Sequence, residues 1–488
     1  MTRTAESPAA RYKAALAEIE AGRFDSARAA LTRLGMEQPR APEIPLQLSL
    51  IAGYRGDLAT RLRQIDRALA LKPDDPALLD AALAAFGVAG DEARVMALLD
   101  RRVAVAKTPL HAQTDKAIWL QHAGRFADAE ELLRGLIARH PDEGVLYRTL
   151  FATLTVPADD PLMPGLERLL TKPKIPDAAR LHGHFAMAKA REDQGAWEEV
   201  FPHLDAANRL QRIAAPYDRA AHMREQTAFR AAQDDATFAP PAATTDAPSP
   251  VFVIGPPRSG TTLAERILAG HAGVTAGGEL ARALRLVWTR TVSGDRVKRL
   301  SAMSGAELAA LGARYRDFLR LDTGAVDGVV TDKSIQSHMV LGYLARALPD
   351  ARFVAIRRDP RDTALSIYKN HFRTGTHRYA TDLGDIAHAL KSYRDSIAYW
   401  RARLPDRVTE IAYEDLVGDP NPTARRLAAA AGLDFAPESL DLAGGGTVRT
   451  LSVAQARQPI HAGRRAAWRR FETELQPFFD AWGDAPWD

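Results

Sequence analysis

Four glycines recur at a fixed interval of 34 residues, at Gly22, Gly56, Gly90 and Gly124, and this period decides what the first half of the chain can become. Gly22-Arg23-Phe24-Asp25-Ser26-Ala27 returns as Gly124-Arg125-Phe126-Ala127-Asp128-Ala129. Each glycine lies between two amphipathic helical stretches, and a proline follows 17 residues later at Pro39, Pro73 and Pro141. The third unit departs from this with Lys107, although Pro109 is close by. Glycine admits a left-handed turn and proline cannot continue a helix, so the two punctuate antiparallel helix pairs. A lone pair cannot bury its apolar face, whereas stacked pairs can, and the predicted product is an all-α helical solenoid.

The pattern resembles the tetratricopeptide repeat and assigns residues 1–233 to such a domain. A degenerate unit surrounds Gly195-Ala196-Trp197, out of phase after the proline-rich 157–176 stretch. The concave face of a solenoid would hold a peptide or protein. The alternative is a rigid spacer or an oligomerisation arm, which would make the chain a homodimer. Asp234 to Pro250 is rich in Ala, Pro, Thr and Asp without an apolar period, so a linker is placed at 234–249.

From 250 to 488 the grammar changes to short apolar runs alternating with helical patterns. Val251–Ile254, Val329–Thr331, Phe353–Ile356 and Val408–Ala412 read as buried strands, with helices over Ser337–Leu348, Asp382–Leu404 and Thr423–Gly432. The alternation predicts an α/β domain with a parallel sheet covered on both faces, its ligand beyond the carboxyl ends of the strands.

Composition excludes several classes. The 488 residues are 46% hydrophobic and 26% charged with a net charge of +4, which does not call for nucleic acid as a partner. There is no cysteine, hence no disulfide framework, and no apolar run approaches the ~18 residues of a membrane span. The expectation is a cytoplasmic protein with no membrane and no metal.

Gly255-Pro256-Pro257-Arg258-Ser259-Gly260-Thr261-Thr262 follows the first strand and opens into a helix at Leu263–Leu268. This is a phosphate loop in its strand–loop–helix setting, with backbone amides and the helix end aimed at an anion. The nucleoside-triphosphatase form carries lysine where Thr261 stands, and that lysine grips the β- and γ-phosphates. Arg258 offers a fork for anionic oxygens instead. A second anion site is predicted where Phe353–Ile356 runs into Arg357-Arg358-Asp359-Pro360. Arg358 at the strand end and Ser366 two turns into the next helix could meet on one phosphate; otherwise Arg358 pairs with Asp359 or Asp362 and Ser366 simply packs.

An altered loop plus an R-x₇-S element resembles the sulfotransferase superfamily, which uses 3′-phosphoadenosine 5′-phosphosulfate as co-substrate. The resemblance is closest to the protein-tyrosine sulfotransferases and covers about 250–470. It implies that Pro257, Arg258, Ser259, Gly260, Thr261 and Thr262 hold the 5′-phosphosulfate, and that Arg358 and Ser366 hold the 3′-phosphate. It implies Glu279, in Gly277-Gly278-Glu279, as catalytic base, and Lys333, in Thr331-Asp332-Lys333, as a contact to the reacting centre beside Arg258. Ser452 matches a phosphosulfate contact, and Tyr413, in a Y-E-x-L element, lines the nucleotide pocket. His271 and His371 remain substitutes for the base; the bland reading makes them ordinary helix-end or surface histidines. The Golgi tyrosine sulfotransferases carry a membrane anchor and cysteines, and this sequence shows neither, which leaves the acceptor open. The expected reaction is sulfuryl transfer, without Mg²⁺, to a tyrosine of a peptide or protein recruited by the repeats. The rivals are a small alcohol or phenol as acceptor, a phosphate-loop kinase or triphosphatase, and a non-catalytic repeat scaffold with a nucleotide-binding domain.

Overall fold

The computed structural model describes residues 6–242, 246–442 and 465–487. The first half of the chain is helical throughout: α1 (Pro8–Glu20), α2 (Phe24–Glu37), α3 (Glu43–Tyr54), α4 (Leu58–Leu71), α5 (Pro76–Ala89), α6 (Glu92–Val105), α7 (Pro109–His122), α8 (Phe126–Arg139), α9 (Gly144–Phe151), α10 (Met163–Thr171), α11 (Asp177–Asp193), α12 (Trp197–Ala214) and α13 (Arg219–Ala231). The periodic glycines make the turns. Gly22, Gly56, Gly90 and Gly124 have φ of 75°, 73°, 69° and 81°, the left-handed region that a side chain disfavours, and Gly195 has 75°. Asp57, Asp75 and Asp91 cap α4, α5 and α6 through backbone amides of the first turn. The expected tetratricopeptide-like solenoid of helical hairpins is what forms.

The chain gathers into two compact units. The first combines Met1–Lys116 with Thr244–Ser249 and Ala309–Val330. Its core joins Leu31, Ile44, Ile51 and Tyr54 to Leu321, and the buried Arg61 donates to the Leu321 carbonyl at 2.6 Å. A Cβ on Gly53 would lie 2.6 Å from Leu321, so the close approach requires glycine there.

The second unit combines Ala117–Ala243, Pro250–Leu308 and Thr331–Asp488. Along the chain after α13 come β1 (Ser249–Ile254), α14 (Thr261–Ala269), β2 (Val274–Ala276), α15 (Arg282–Thr291), the β3–β4 hairpin (Val292–Ser293, Arg296–Val297) and α16 (Gly305–Thr323), which from Ala309 onward belongs to the first unit. These are followed by β5 (Val329–Asp332), α17 (Leu341–Ala347), β6 (Arg352–Arg357), α18 (Pro360–Tyr368), α19 (Leu383–Arg403), β7 (Val408–Ala412), α20 (Tyr413–Gly418), α21 (Pro420–Ala431) and α22 (Gln476–Trp482). The sheet order is β2-β5-β1-β6-β7, with β1 and β7 both parallel to β6. Four of the five strands are the apolar runs read from the sequence. The expected helix over Ser337–Leu348 differs: Ile335–Val340 is a 3₁₀ turn and the α-helix begins at Leu341.

Packing in this unit crosses the division between repeats and α/β domain. Leu181, Phe185, Phe201 and Leu204 of α11 and α12 share one apolar core with Leu365, Ile367, Ile386 and Phe478 of α18, α19 and α22. Asn208 and Gln211 donate at 3.0 Å to the carbonyls of Tyr368 and Phe372. The stretch after α13 is held as well. Gln233, fully buried, bridges the carbonyls of Phe229 and Met339 and accepts from the Gly342 amide. Among the described residues no helix is long and apolar enough to cross a membrane.

Candidate active site

β1 delivers the phosphate loop. A Cβ on Gly255 would lie 2.5 Å from Ser259 Oγ and 3.3 Å from the Ile356 carbonyl, so only glycine fits between β1 and β6. The loop folds back on itself through Ser259, whose Oγ and amide both donate to the Pro256 carbonyl, at 2.8 and 3.2 Å. Arg258 has φ of 71°, an uncommon conformation for a non-glycine residue, and Gly260 has 101°. Gly260 is the N-cap of α14 and has no side chain with which to cap its first amides.

The second motif lies alongside because β6 runs parallel to β1, with Ile254 beside Ala355. Arg358 donates from one guanidinium nitrogen to the Arg258 carbonyl at 2.8 Å. Arg258 Nε donates in turn to Ser366 Oγ at 3.0 Å. Tyr413, the first residue of α20 just after β7, sits between the two motifs. The Arg358 guanidinium lies 4.7 Å from its ring centre, and a Cβ on Gly260 would come within 2.3 Å of the ring. Of the carboxylates that the sequence offers to Arg358, Asp359 binds Arg361 at 2.7 Å, while Asp362 accepts from the amides of Ala466 and Trp468 and also feels the charge of Arg358.

Beside the loop, β2 ends in Gly277-Gly278-Glu279 and β5 in Thr331-Asp332-Lys333. The two ends are laced together by Gly277 N to Thr331 O at 3.0 Å and Lys333 N to Gly278 O at 2.8 Å. A Cβ on Gly277 would meet the Thr331 carbonyl at 2.2 Å. Lys333 is 2% exposed and its Nζ donates to Glu279 Oε1 at 2.8 Å, while the Glu279 side chain keeps 54% of its surface. An otherwise dry lysine thus presents its charge at a solvent-facing carboxylate.

Two residues that sequence reasoning passed over belong to this corner. Glu265 is buried in the second turn of α14, where its Oε1 accepts from Gly278 N at 2.9 Å and Thr331 Oγ1 at 2.8 Å. Burial pushes its carboxyl above the ordinary range, opposed by the charge of Lys333 and by those two bonds. Its signal was a carboxylate inside the apolar run Leu263-Ala264-Glu265-Arg266-Ile267-Leu268. His377, with φ of 44°, has an imidazole held below its ordinary pKa by burial, and the charge of Glu279 acts on it in the opposite sense. The two histidines considered as substitute bases have structural places. Buried His271 bonds the Ile267 and Leu268 carbonyls at the end of α14. His371 stacks edge-on to His182 at 4.6 Å and to Phe185 at 5.8 Å. Ser452 lies outside the described residues.

Residues 250–437 match a sulfotransferase family model. This part of the chain is a sulfotransferase domain. The chain is also similar to an uncharacterized protein of Aquifex aeolicus (strain VF5), 26% identical over 379 residues that cover 74% of this chain and 48% of that protein. It is similar to protein-tyrosine sulfotransferase 1 of Danio rerio, 28% identical over 195 residues, 36% of this chain and 51% of that one. The chain spans about half the length of these two curated relatives. Among solved structures it is similar to the sulfotransferase domain of the Synechococcus PCC 7002 olefin synthase, with 18% identity, 51% and 100% coverage and a TM-score of 0.33. The loop and the second motif border a cleft lined among others by Ser259, Arg357, Arg358, Thr363 and Trp482.

Proposed function

We propose that the domain transfers the sulfuryl group of 3′-phosphoadenosine 5′-phosphosulfate to a tyrosine hydroxyl of a peptide or protein recruited by the repeats. The observation that carries this reading is the Lys333–Glu279 pair, set at 2.8 Å beside a loop that the arginines of both motifs brace. The donor supplies an activated S–O bond. Residues 257–262 and Arg258 would bind its phosphosulfate end, Arg358 and Ser366 its 3′-phosphate, and Tyr413 would support both; Ser452 is assigned by resemblance alone. Glu279 would accept the acceptor's proton as the new S–O bond forms and the bond to phosphate breaks. Lys333 and Arg258 would balance the charge that gathers on the sulfuryl oxygens and the departing phosphate. A carboxylate near pKa ~4 is a weak base toward a phenol near ~10, so the proton must move late, as a loose transition state allows. With Thr261 in place of the loop lysine, no triphosphate tail or Mg²⁺ is required.

The tyrosine acceptor draws on the name of the Danio rerio relative and on the repeats as a groove, which would raise the local concentration of a bound segment. A small phenol or alcohol is the second reading. It is favoured by α11 and α12 being built into the domain's own core, as framework and not as a docking arm. Incubation of the protein with labelled donor, a tyrosine peptide and a small phenol, with and without chelator, separates these readings. Label on peptide with chelator present is expected. Loss of activity with chelator, restored by Mg²⁺, would revive the kinase. Tight donor binding without transfer to any acceptor would make the chain a scaffold.

A further inference from the structure

A second cleft shares Pro256, Leu390 and Tyr393 with the first. We infer that this cleft is the acceptor site, that it takes an uncharged aromatic hydroxyl, and that α13, outside the matched domain, forms part of its wall. The inference rests on the proposed sulfuryl transfer and specifies its acceptor.

Position is the first argument. Pro256 belongs to the phosphate loop, and Ile335 and Gln336 follow Lys333 by two and three residues. His377 lines the cleft and feels the charge of Glu279. The cleft therefore adjoins the phosphate loop and the segment that follows Lys333.

Chemistry is the second. None of the described side chains lining the cleft is Asp, Glu, Lys or Arg. Burial lowers the pKa of each histidine on its wall, His222, His338 (to about 3) and His377, so the wall is neutral at physiological pH. Much of their hydrogen bonding is satisfied internally. Tyr393 donates to the carbonyls of Ile254 and Ile356 at 3.1 and 3.3 Å, a His338 ring nitrogen meets Ser396 Oγ at 3.1 Å, and His222 meets Gln226 at 2.8 Å. What remains to a ligand is aromatic ring surface and uncharged polar atoms: His338 is edge-on to Tyr393 and His377 to Tyr379, and His377 Nδ1 is buried without a hydrogen-bond partner among the described residues. Such walls favour another aromatic ring and penalise an unpaired carboxylate or phosphate. The strained backbone at His377 is the kind that persists where surroundings hold a side chain in place for use.

Origin is the third. His222 and Gln226 come from α13, upstream of residues 250–437, so the matched domain does not contain the whole cleft.

The test uses the full chain without donor and 4-methylphenol as probe, with binding followed by ligand-observed NMR. Expected are binding at least ~10-fold tighter than that of cyclohexylmethanol, and a loss of ~10-fold or more in Ala389→Trp, which fills the cleft. Gln336→Trp, made at an exposed position, narrows the same cleft should the first variant fold poorly. Desulfated nucleotide should bind both variants as it binds the parent protein. No preference for the aromatic ring, or unchanged phenol binding in both folded variants, overturns the inference. Phenol binding of the expected kind without transfer from any donor would instead overturn the proposed reaction and leave the aromatic site standing.

Discussion

Arg358 grips the main-chain oxygen of Arg258 at 2.8 Å, so the second phosphate motif holds the first in shape. Ser366, which the sequence pairs with Arg358, receives its hydrogen bond from Arg258. The two motifs are cross-braced through their arginines.

Arg358→Ala should therefore weaken a nucleotide carrying the 3′-phosphate by ~1.5–3 kcal/mol, the range for a hydrogen bond to a charged group. The analogue without that phosphate should lose less, ~0.5–1.5 kcal/mol, through the slackened loop. Calorimetric titration of both nucleotides decides this, and equal losses would remove Arg358 from the 3′-phosphate.

Glu279→Gln should leave donor affinity near that of the parent and lower the transfer rate by ~10²-fold or more. Single-turnover kinetics gives the rate directly. An unchanged rate would move the base assignment to another group, with His377 the histidine nearest in influence.

Glu265→Gln keeps an oxygen acceptor for Gly278 N and Thr331 Oγ1, whereas Glu265→Ala strands both donors at ~1–3 kcal/mol. Because the folded carboxyl pKa is raised, ionised Glu265 costs stability as pH rises through that value. The glutamine variant should thus equal or exceed the parent in denaturant midpoint at pH 8, and the alanine variant should fall below both. A less stable glutamine variant would mean that the negative charge itself is needed beside Lys333.

A chain starting at Pro248 would lack α11 and α12 and expose the apolar faces of α18, α19 and α22. Such a chain should bind a hydrophobic dye and lose its cooperative thermal transition. A sharp transition with little dye binding would show that the α/β part closes its core alone.

Acid should destabilise the second unit. His182, His184 and His338 are held near 3, 4 and 3 by burial, from an ordinary 6.5. Below about 6.5 the unfolded chain takes up protons that the native state refuses, so stability falls as pH drops from 7 toward 4. The melting temperature between pH 7.5 and 5 should decline less steeply in His184→Asn, which can still bond His203. Superimposable slopes would count against this.

Legibility followed the range of the physics. β1, β6 and β7 were visible because fully buried strands leave continuous apolar runs, and the periodic glycines were visible because a left-handed turn has few substitutes. β2 left no such trace, being three residues at the sheet edge, partly solvated. Ile335–Val340 carries helical composition, yet it forms a 3₁₀ turn. The meaning of Glu265 depends on Gly278 and Thr331, 13 and 66 residues away. The stretch after α13 has a linker's composition, but Gln233 and Phe238 fasten it to Met339 and Trp400.

Helix α14 begins in the phosphate loop and carries Glu265 one turn later, about 6 Å along its axis. One stiff rod therefore bears the end of the loop at its tip and the footing of Gly278 at its second turn. No hinge separates them, so the spacing between the loop and the start of the Gly278–Glu279 segment is machined into the fold.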